Sequence, residues 1–263
     1  PENAKILEPG IGTGSIVDSI LRKIPDSSQL YAFDREKEFV EASIEKNGLS
    51  KENILCVDFF TNTPFDNVKF NLIIGNPPYG AVLSKENLDY VKSNTDIFPQ
   101  ISKESSVLFI YKAIQMLAEG GELYFILPAT ITRVLSYKCV RDYIKKTCYV
   151  KSIYNLGQKF NGVGYELIIL NIMKKGSFVI EPECVVLYDL ISGREVLHSL
   201  SYKEFLNQDI FPLFINDDDA KLLSRIEADS FKLESIIEMP RGKSYDLINS
   251  KDYDSPNRVY AAR

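Results

Sequence analysis

The chain has 263 residues, 45% of them hydrophobic, an ordinary globular composition long enough to bury a substantial core. A net charge of −5 and a pI near 5.2 exclude a whole-chain polycation, so any nucleic-acid contact must use a local basic surface. A single histidine, His198, excludes a His-rich metal cluster and a His-based triad, and no apolar run approaches the ~20 residues that cross a bilayer. The four cysteines, Cys56, Cys139, Cys148 and Cys184, show no CxxC spacing and are expected to be reduced thiols. With no visible signal peptide, this fits a cytoplasmic protein. The chain opens at Pro1 almost directly on a strand and ends at Arg263 without a closing element, so both ends read as cut from something longer.

Residues 4–7 read as a short buried strand, followed by Glu8-Pro9-Gly10-Ile11-Gly12-Thr13-Gly14 and a helical pattern with Ile16, Ile20 and Leu21 on one face. Strand, glycine loop and helix make a nucleotide-binding arrangement, because glycines let backbone approach a ligand and a helix N-terminus offers N–H groups. The dinucleotide pattern GxGxxG would need a glycine at position 15, where Ser15 stands. Glu8 precedes the loop, and a carboxylate there suits a cationic or amino-bearing ligand better than a pyrophosphate. Residues 30–33 make a second strand ending on Asp34, with a helix over 35–47 through Phe39, Val40 and Ile44. Asp34 lies about 20 residues beyond the glycine loop, where a carboxylate can accept hydrogen bonds from both hydroxyls of a ribose; Asp also favours helix N-caps, and the two roles can coexist. The third strand, 53–57, ends in Asp58-Phe59-Phe60, a carboxylate and a ring that could bracket a nucleobase.

The fourth strand, 71–74, stops at Asn76-Pro77-Pro78-Tyr79, since consecutive prolines neither donate to a sheet ladder nor continue a helix. The proline pair biases Asn76 and Pro77 towards extended backbone. A stiff loop therefore projects the Asn76 amide and the Pro77 carbonyl beyond the strand's carboxyl end, where open α/β sheets bind ligands. Two oxygen acceptors beside the Tyr79 ring could receive an exocyclic amino group on a planar ring.

Taken in order, the Glu8-Pro9-Gly10-Ile11-Gly12 loop, Asp34, Asp58-Phe59 and Asn76-Pro77-Pro78-Tyr79 resemble the S-adenosylmethionine-dependent DNA amino-methyltransferases. The subgroup that places its cofactor motif first and its target-recognition domain last fits best. The resemblance implies an α/β fold, a Rossmann-like methyltransferase sheet over residues 1–175 that is mostly parallel with an antiparallel last strand. Residues 176–263 would then be a linker and the start of a carboxyl-terminal recognition domain. It implies S-adenosylmethionine as cofactor, held by Glu8, Pro9, Gly10, Gly12, Gly14, Asp34, Asp58 and Phe59, with Asn76, Pro77, Pro78 and Tyr79 as the catalytic loop and no metal. The substrate implied is N6 of a flipped adenine in double-stranded DNA, stacked between Tyr79 and Phe160; Asn rather than Ser before the prolines favours adenine over N4 of cytosine. A fused or separate restriction endonuclease or specificity subunit is the partner implied, and no membrane. Release-factor glutamine methyltransferases share the Asn-Pro-Pro-Tyr loop, and a DNA-recognition subunit without turnover would share the fold, so both readings stay open.

Residues 81–105 are polar and read as a long mobile loop over the site. A helix over 106–117 turns Leu108, Phe109, Ala113 and Leu117 inward and is capped by Gly120-Gly121, before a strand over 122–127 closed by Pro128. From 133 to 159 come Arg133, Lys138, Arg141, Lys145, Lys146, Lys151 and Lys159, with Asp142 as the only acidic residue. Several would share the exposed face of a helix over 133–146. Arg133, Lys138, Arg141, Lys145 and Lys159 are the candidates for DNA-backbone contact, and a merely solvated basic face fits the pattern equally. Strands over 149–155 and 165–173 flank a glycine-bearing loop that carries Phe160. After Gly176 the character changes: a weak strand over 177–188, a short helix from Ser201, and Asp217-Asp218-Asp219 capping a helix with Ala220, Leu223 and Ile226 inward. The basic turn Arg241-Gly242-Lys243 resembles the entry to a target-recognition domain.

Overall fold

The four short apolar runs of the first half become β1 (Ile6–Pro9), β2 (Leu30–Asp34), β3 (Ile54–Cys56) and β4 (Phe70–Gly75), all paired in parallel. A computed structural model describes residues 3–24, 26–61, 63–81, 83–94, 105–158, 164–191, 196–213, 221–222, 225–226 and 230. Alternation along these strands feeds two separate cores, as the two-residue period of a strand requires. Ile6, Leu30, Ala32 and Ile54 meet α1 (Ser15–Leu21) and α2 (Lys37–Asn47) on one face. Leu7, Phe33, Phe70 and Ile73 belong to the larger core, with α4 (Ser105–Met116) and α5 (Lys138–Thr147).

β5 (Leu117–Pro128) joins β4 in parallel, and β7 (Leu167–Lys174) runs antiparallel between β5 and β6 (Cys148–Gly157). This is the mostly parallel α/β sheet with a late antiparallel strand that the sequence led us to expect. It extends further. β8 (Cys184–Asp189) pairs in parallel with β6, and β9 (Val196–Ser201) antiparallel with β8, completing the order β3-β2-β1-β4-β5-β7-β6-β8-β9. α6 (Tyr202–Leu206) follows, started by a capping box between Ser201 and Glu204. Pro1–Asn216 forms one compact unit, so the boundary expected at 175/176 falls between two strands of one sheet. The second unit is Asp217–Arg263; residues 221–222 and 225–226 within it are helical, and residues 231–263, with the expected basic turn, lie outside the described residues.

Two local readings change. Residues 85–94, expected as loop, form α3 (Lys85–Asn94), with the Ser84 hydroxyl accepting the Asn87 N–H at 3.1 Å. Gly120-Gly121 does not cap α4, because β5 begins directly at Leu117. The glycines instead occupy a bulge: Phe70 faces Leu117 but Leu72 faces Glu122. A Cβ on Gly121 would lie 2.6 Å from the Phe70 carbonyl oxygen, so the close approach of β4 and β5 requires glycine there.

Candidate active site

After Pro9 the chain folds back onto the end of β2. The Gly10 N–H donates to the Phe33 carbonyl at 2.9 Å and the Gly12 N–H to Asp34 Oδ2 at 2.8 Å, while Asp34 Oδ1 accepts the Glu36 N–H at 2.9 Å. Asp34 thus braces the glycine loop against its own strand end. A Cβ at Gly10 or Gly12, whose φ values are +125° and +49°, would meet nothing within 4 Å. That open space is part of a cavity of about 440 Å³ beyond the carboxyl ends of β1 to β4. Strand order reverses between β1 and β4, which makes this the topological switch point where ligands of open α/β sheets bind. Gly14 faces Ser43 of α2 instead of the cavity.

Glu8 is sealed beneath the loop at 1% exposure and does not wall the cavity. It accepts the Val17 N–H, and its Oε2 has no hydrogen-bond partner among the described residues. Burial, helped by the negative charges of Asp34 and Asp18, pushes its pKa up to about 8.

Asp58 and Phe59 also meet the cavity, in unequal ways. Asp58 Oδ1 accepts the Phe60 N–H at 2.8 Å and Oδ2 accepts Asn87 Nδ2 at 3.1 Å. Phe59 is a core ring, stacked on Phe109 (centroids 4.4 Å apart) and on Phe33 (5.3 Å), so the expected free platform for a nucleobase is already engaged. The partly open ring on the cavity wall is Phe39 of α2, 39% exposed.

β4 ends on the stiff loop expected of its prolines. Asn76 and Pro78 are exposed and wall the cavity, and Pro77 is buried. The Tyr79 hydroxyl donates to Asn76 Oδ1 and also lies 2.9 Å from the Ile126 carbonyl oxygen of β5. Behind the loop, the buried Ser105 Oγ donates to the Pro78 carbonyl at 2.6 Å and accepts the Ala81 N–H at 3.2 Å, anchoring the turn to α4. The ring beside Tyr79 is Tyr165, edge-on at 6.1 Å and 40% exposed. Phe160, expected opposite Tyr79, and Lys159 lie outside the described residues. Sequence reasoning missed Phe39, Asn87, Ser105 and Tyr165; of these only Asn87 had a local signal, the Ser84-x-x-Asn87 spacing of a helix start.

The basic run is divided by burial. Arg141 is 2% exposed and donates to the carbonyls of Asp209, Ile131 and Val134 at 2.9–3.0 Å. Lys145 reaches the Gln208 carbonyl and lies over the Phe205 ring, and Lys138 pairs with Asp142 at 2.8 Å and Asp209 at 3.6 Å. These residues fasten the segment after α6 onto α5, which corrects the expectation that Arg141 and Lys145 face phosphate. Arg133, 57% exposed at its side chain, stays outside in a 3.5 Å pair with Glu166. No group of acidic, His or Cys side chains that could hold a metal occurs among the described residues. None of the four cysteines is joined in a disulfide, and no described helix is long and apolar enough to cross a membrane.

Residues 13–161 match the family model described as Eco57I restriction-modification methylase. The chain belongs to that family. Among methylase relatives, Type II methyltransferase M.CvrRI of Paramecium bursaria Chlorella virus XZ-6E is 28% identical over 218 residues, 76% of this chain and 54% of the relative. Type II restriction enzyme and methyltransferase RM.Eco57I of Escherichia coli is 31% identical over 140 residues, 50% of this chain and 13% of the relative. The chain therefore spans about half, or far less, of the methylases it matches. The crystal structure of the type IIG restriction endonuclease BpuSI shares the fold, with a TM-score of 0.66 and 18% identity over 96% of this chain and 35% of that one.

S-adenosylmethionine is the cofactor of this methylase fold, and the residues present fit it. Glycine backbone faces open space, carboxylates of Asp34 and Asp58 stand at successive strand ends, and Phe39 offers an apolar wall. Gly10, Gly12, Asp34, Phe39 and Asp58 would hold the adenosine portion.

Proposed function

We propose that the chain methylates N6 of adenine in DNA, with Asn76, Pro77, Pro78 and Tyr79 as the catalytic loop. One observation carries the reading: the Asn76 amide stands exposed on the cavity wall with its oxygen held by the Tyr79 hydroxyl. A carbonyl oxygen has two lone pairs, so Asn76 Oδ1 can accept from Tyr79 and still accept from a substrate amino group. An adenine amino nitrogen is a poor nucleophile because its lone pair is delocalised into the ring. Hydrogen bonds from its two protons to Asn76 Oδ1 and the Pro77 carbonyl localise that lone pair and aim it at the cavity, which is orientation combined with electrostatics. The bound cofactor supplies an electrophilic methyl group.

A base inside a duplex cannot reach this loop, and extruding it costs a few kcal/mol. Stacking on Tyr79 returns about 1–3 kcal/mol, and Phe160 is the proposed second face. Double-stranded DNA is thus the proposed partner, approached in part by Arg133. Residues 217–263 are the proposed start of a target-recognition domain. RM.Eco57I is named as both restriction enzyme and methyltransferase, which supports a fused or separate nuclease in a cytoplasmic restriction-modification system.

The test is mass spectrometry of nucleosides from the DNA of a methylation-free host that expresses the full-length protein or its Asn76→Ala variant. N6-methyladenine that disappears in the variant supports the reading. N4-methylcytosine would keep the loop chemistry and replace the base. Neither base, with methylated glutamine found in protein instead, would refute DNA as substrate.

A further inference from the structure

Helix α3 is laid against the cavity wall through a contact between residues 29 positions apart in the chain. Asn87 Nδ2 donates to Asp58 Oδ2 at 3.1 Å, while Asp58 Oδ1 is taken by the Phe60 N–H at 2.8 Å. Each oxygen of the carboxylate carries one donor, which fixes the plane of the group. Three residues on, and so on the same helix face, Tyr90 lies 4.7 Å from Lys112 Nζ. That ammonium also stands 5.2 Å from the Phe59 ring and 3.3 Å from Asp66. One side of α3 therefore meets Asp58 directly through Asn87 and, through Tyr90, the Lys112 ammonium that lies beside Phe59, and Asn87 itself walls the cavity.

We propose that Asn87 is a specificity-determining residue for the nucleobase of the cofactor, acting by holding the Asp58 carboxylate so that it accepts from an exocyclic amino group and rejects a carbonyl. The inference rests on the reading of this cavity as the S-adenosylmethionine site with Asp58 at the nucleobase. A carboxylate only accepts hydrogen bonds. An unrestrained Asp side chain can rotate away from an approaching carbonyl oxygen and let water pair with both. Fixed at both oxygens, it sets acceptor against acceptor, and the desolvated carbonyl goes unpaired. Asn87 is thus a positioning residue for Asp58.

The test is calorimetric binding of S-adenosylhomocysteine and S-inosylhomocysteine to the full-length protein, to Asn87→Ala and to Tyr90→Ala. Wild type is expected to prefer the adenosyl ligand by at least about tenfold. In Asn87→Ala that preference should contract towards one. Tyr90→Ala loosens α3 but keeps both partners of the Asn87–Asp58 hydrogen bond, so it should weaken both ligands alike and keep the preference. An unchanged preference in Asn87→Ala, or equal weakening of both ligands there, overturns the proposal. Wild type that binds both ligands without preference leaves the cofactor reading standing and removes this one. Wild type that binds neither removes both.

Discussion

Replacing Glu8 by Gln should change how stability depends on pH. The carboxyl is enclosed by β1, the glycine loop and α1, keeps one hydrogen bond from Val17, and has its pKa raised from 4.5 to about 8, chiefly by burial. Below pH 4.5 both native and unfolded chains hold the proton, and Glu8 contributes no pH dependence. Between 4.5 and about 8 the native state keeps a proton that the unfolded state releases, so stability falls as pH rises, at about 1.4 kcal/mol per unit. By about pH 7 wild type has lost on the order of 3 kcal/mol relative to its acid-side value, and above the folded pKa the full penalty is present. Gln keeps an acceptor for Val17 and carries no charge, so this slope vanishes. It also leaves a buried N–H donor unpaired, a pH-independent offset of about 1–3 kcal/mol. The diagnostic is therefore the slope of the difference. Urea midpoints of wild type and Glu8→Gln, taken across about pH 5 to 8, should converge or cross as pH rises, with the variant gaining at the alkaline end. Parallel curves would refute the assignment of a buried, proton-retaining carboxyl.

Tyr79→Phe keeps the ring and removes the hydroxyl that holds Asn76 Oδ1, so transfer should slow roughly tenfold with cofactor affinity unchanged, read by single-turnover methylation. Arg141→Met leaves three carbonyls without their cationic donor and should destabilise by on the order of 4 kcal/mol in urea unfolding. If Arg141→Met instead folded normally and weakened DNA binding, its internal role would be wrong. Arg133→Ala should do the reverse: stability within about 0.5 kcal/mol of wild type, but a DNA-binding salt slope reduced by about 1.

The readings that survived were those written in local chemistry. Gly10 and Gly12 must turn the chain off β1, Pro77-Pro78 must stop β4, and Asp34 at the end of β2 and Asp58 just beyond β3 each cap the backbone that follows; none needs a distant partner to be recognised. That is why the strand ends, and with them the position of the cavity, could be drawn from sequence. The readings that changed turned on which way a residue faces. Gly120-Gly121 follows a helix in either case, but only the Phe70 carbonyl, fifty residues earlier in the chain, makes it a bulge between two strands. Phe59 is a nucleobase platform until Phe33 and Phe109 are seen stacked on it.

By itself, then, the sequence determined the α/β class, the order of the strands' functional ends and the stiff Asn76 to Tyr79 loop, because backbone conformation at turns is set by the residues in them. Only the tertiary structure decided that the sheet runs on through β8 and β9, that α3 brings Asn87 to Asp58, and that Arg141 is an internal clamp. Burial and pairing are properties of what folds over a residue: for Arg141 that is the Asp209 carbonyl, 68 positions away, and no pattern within one helix carries that information.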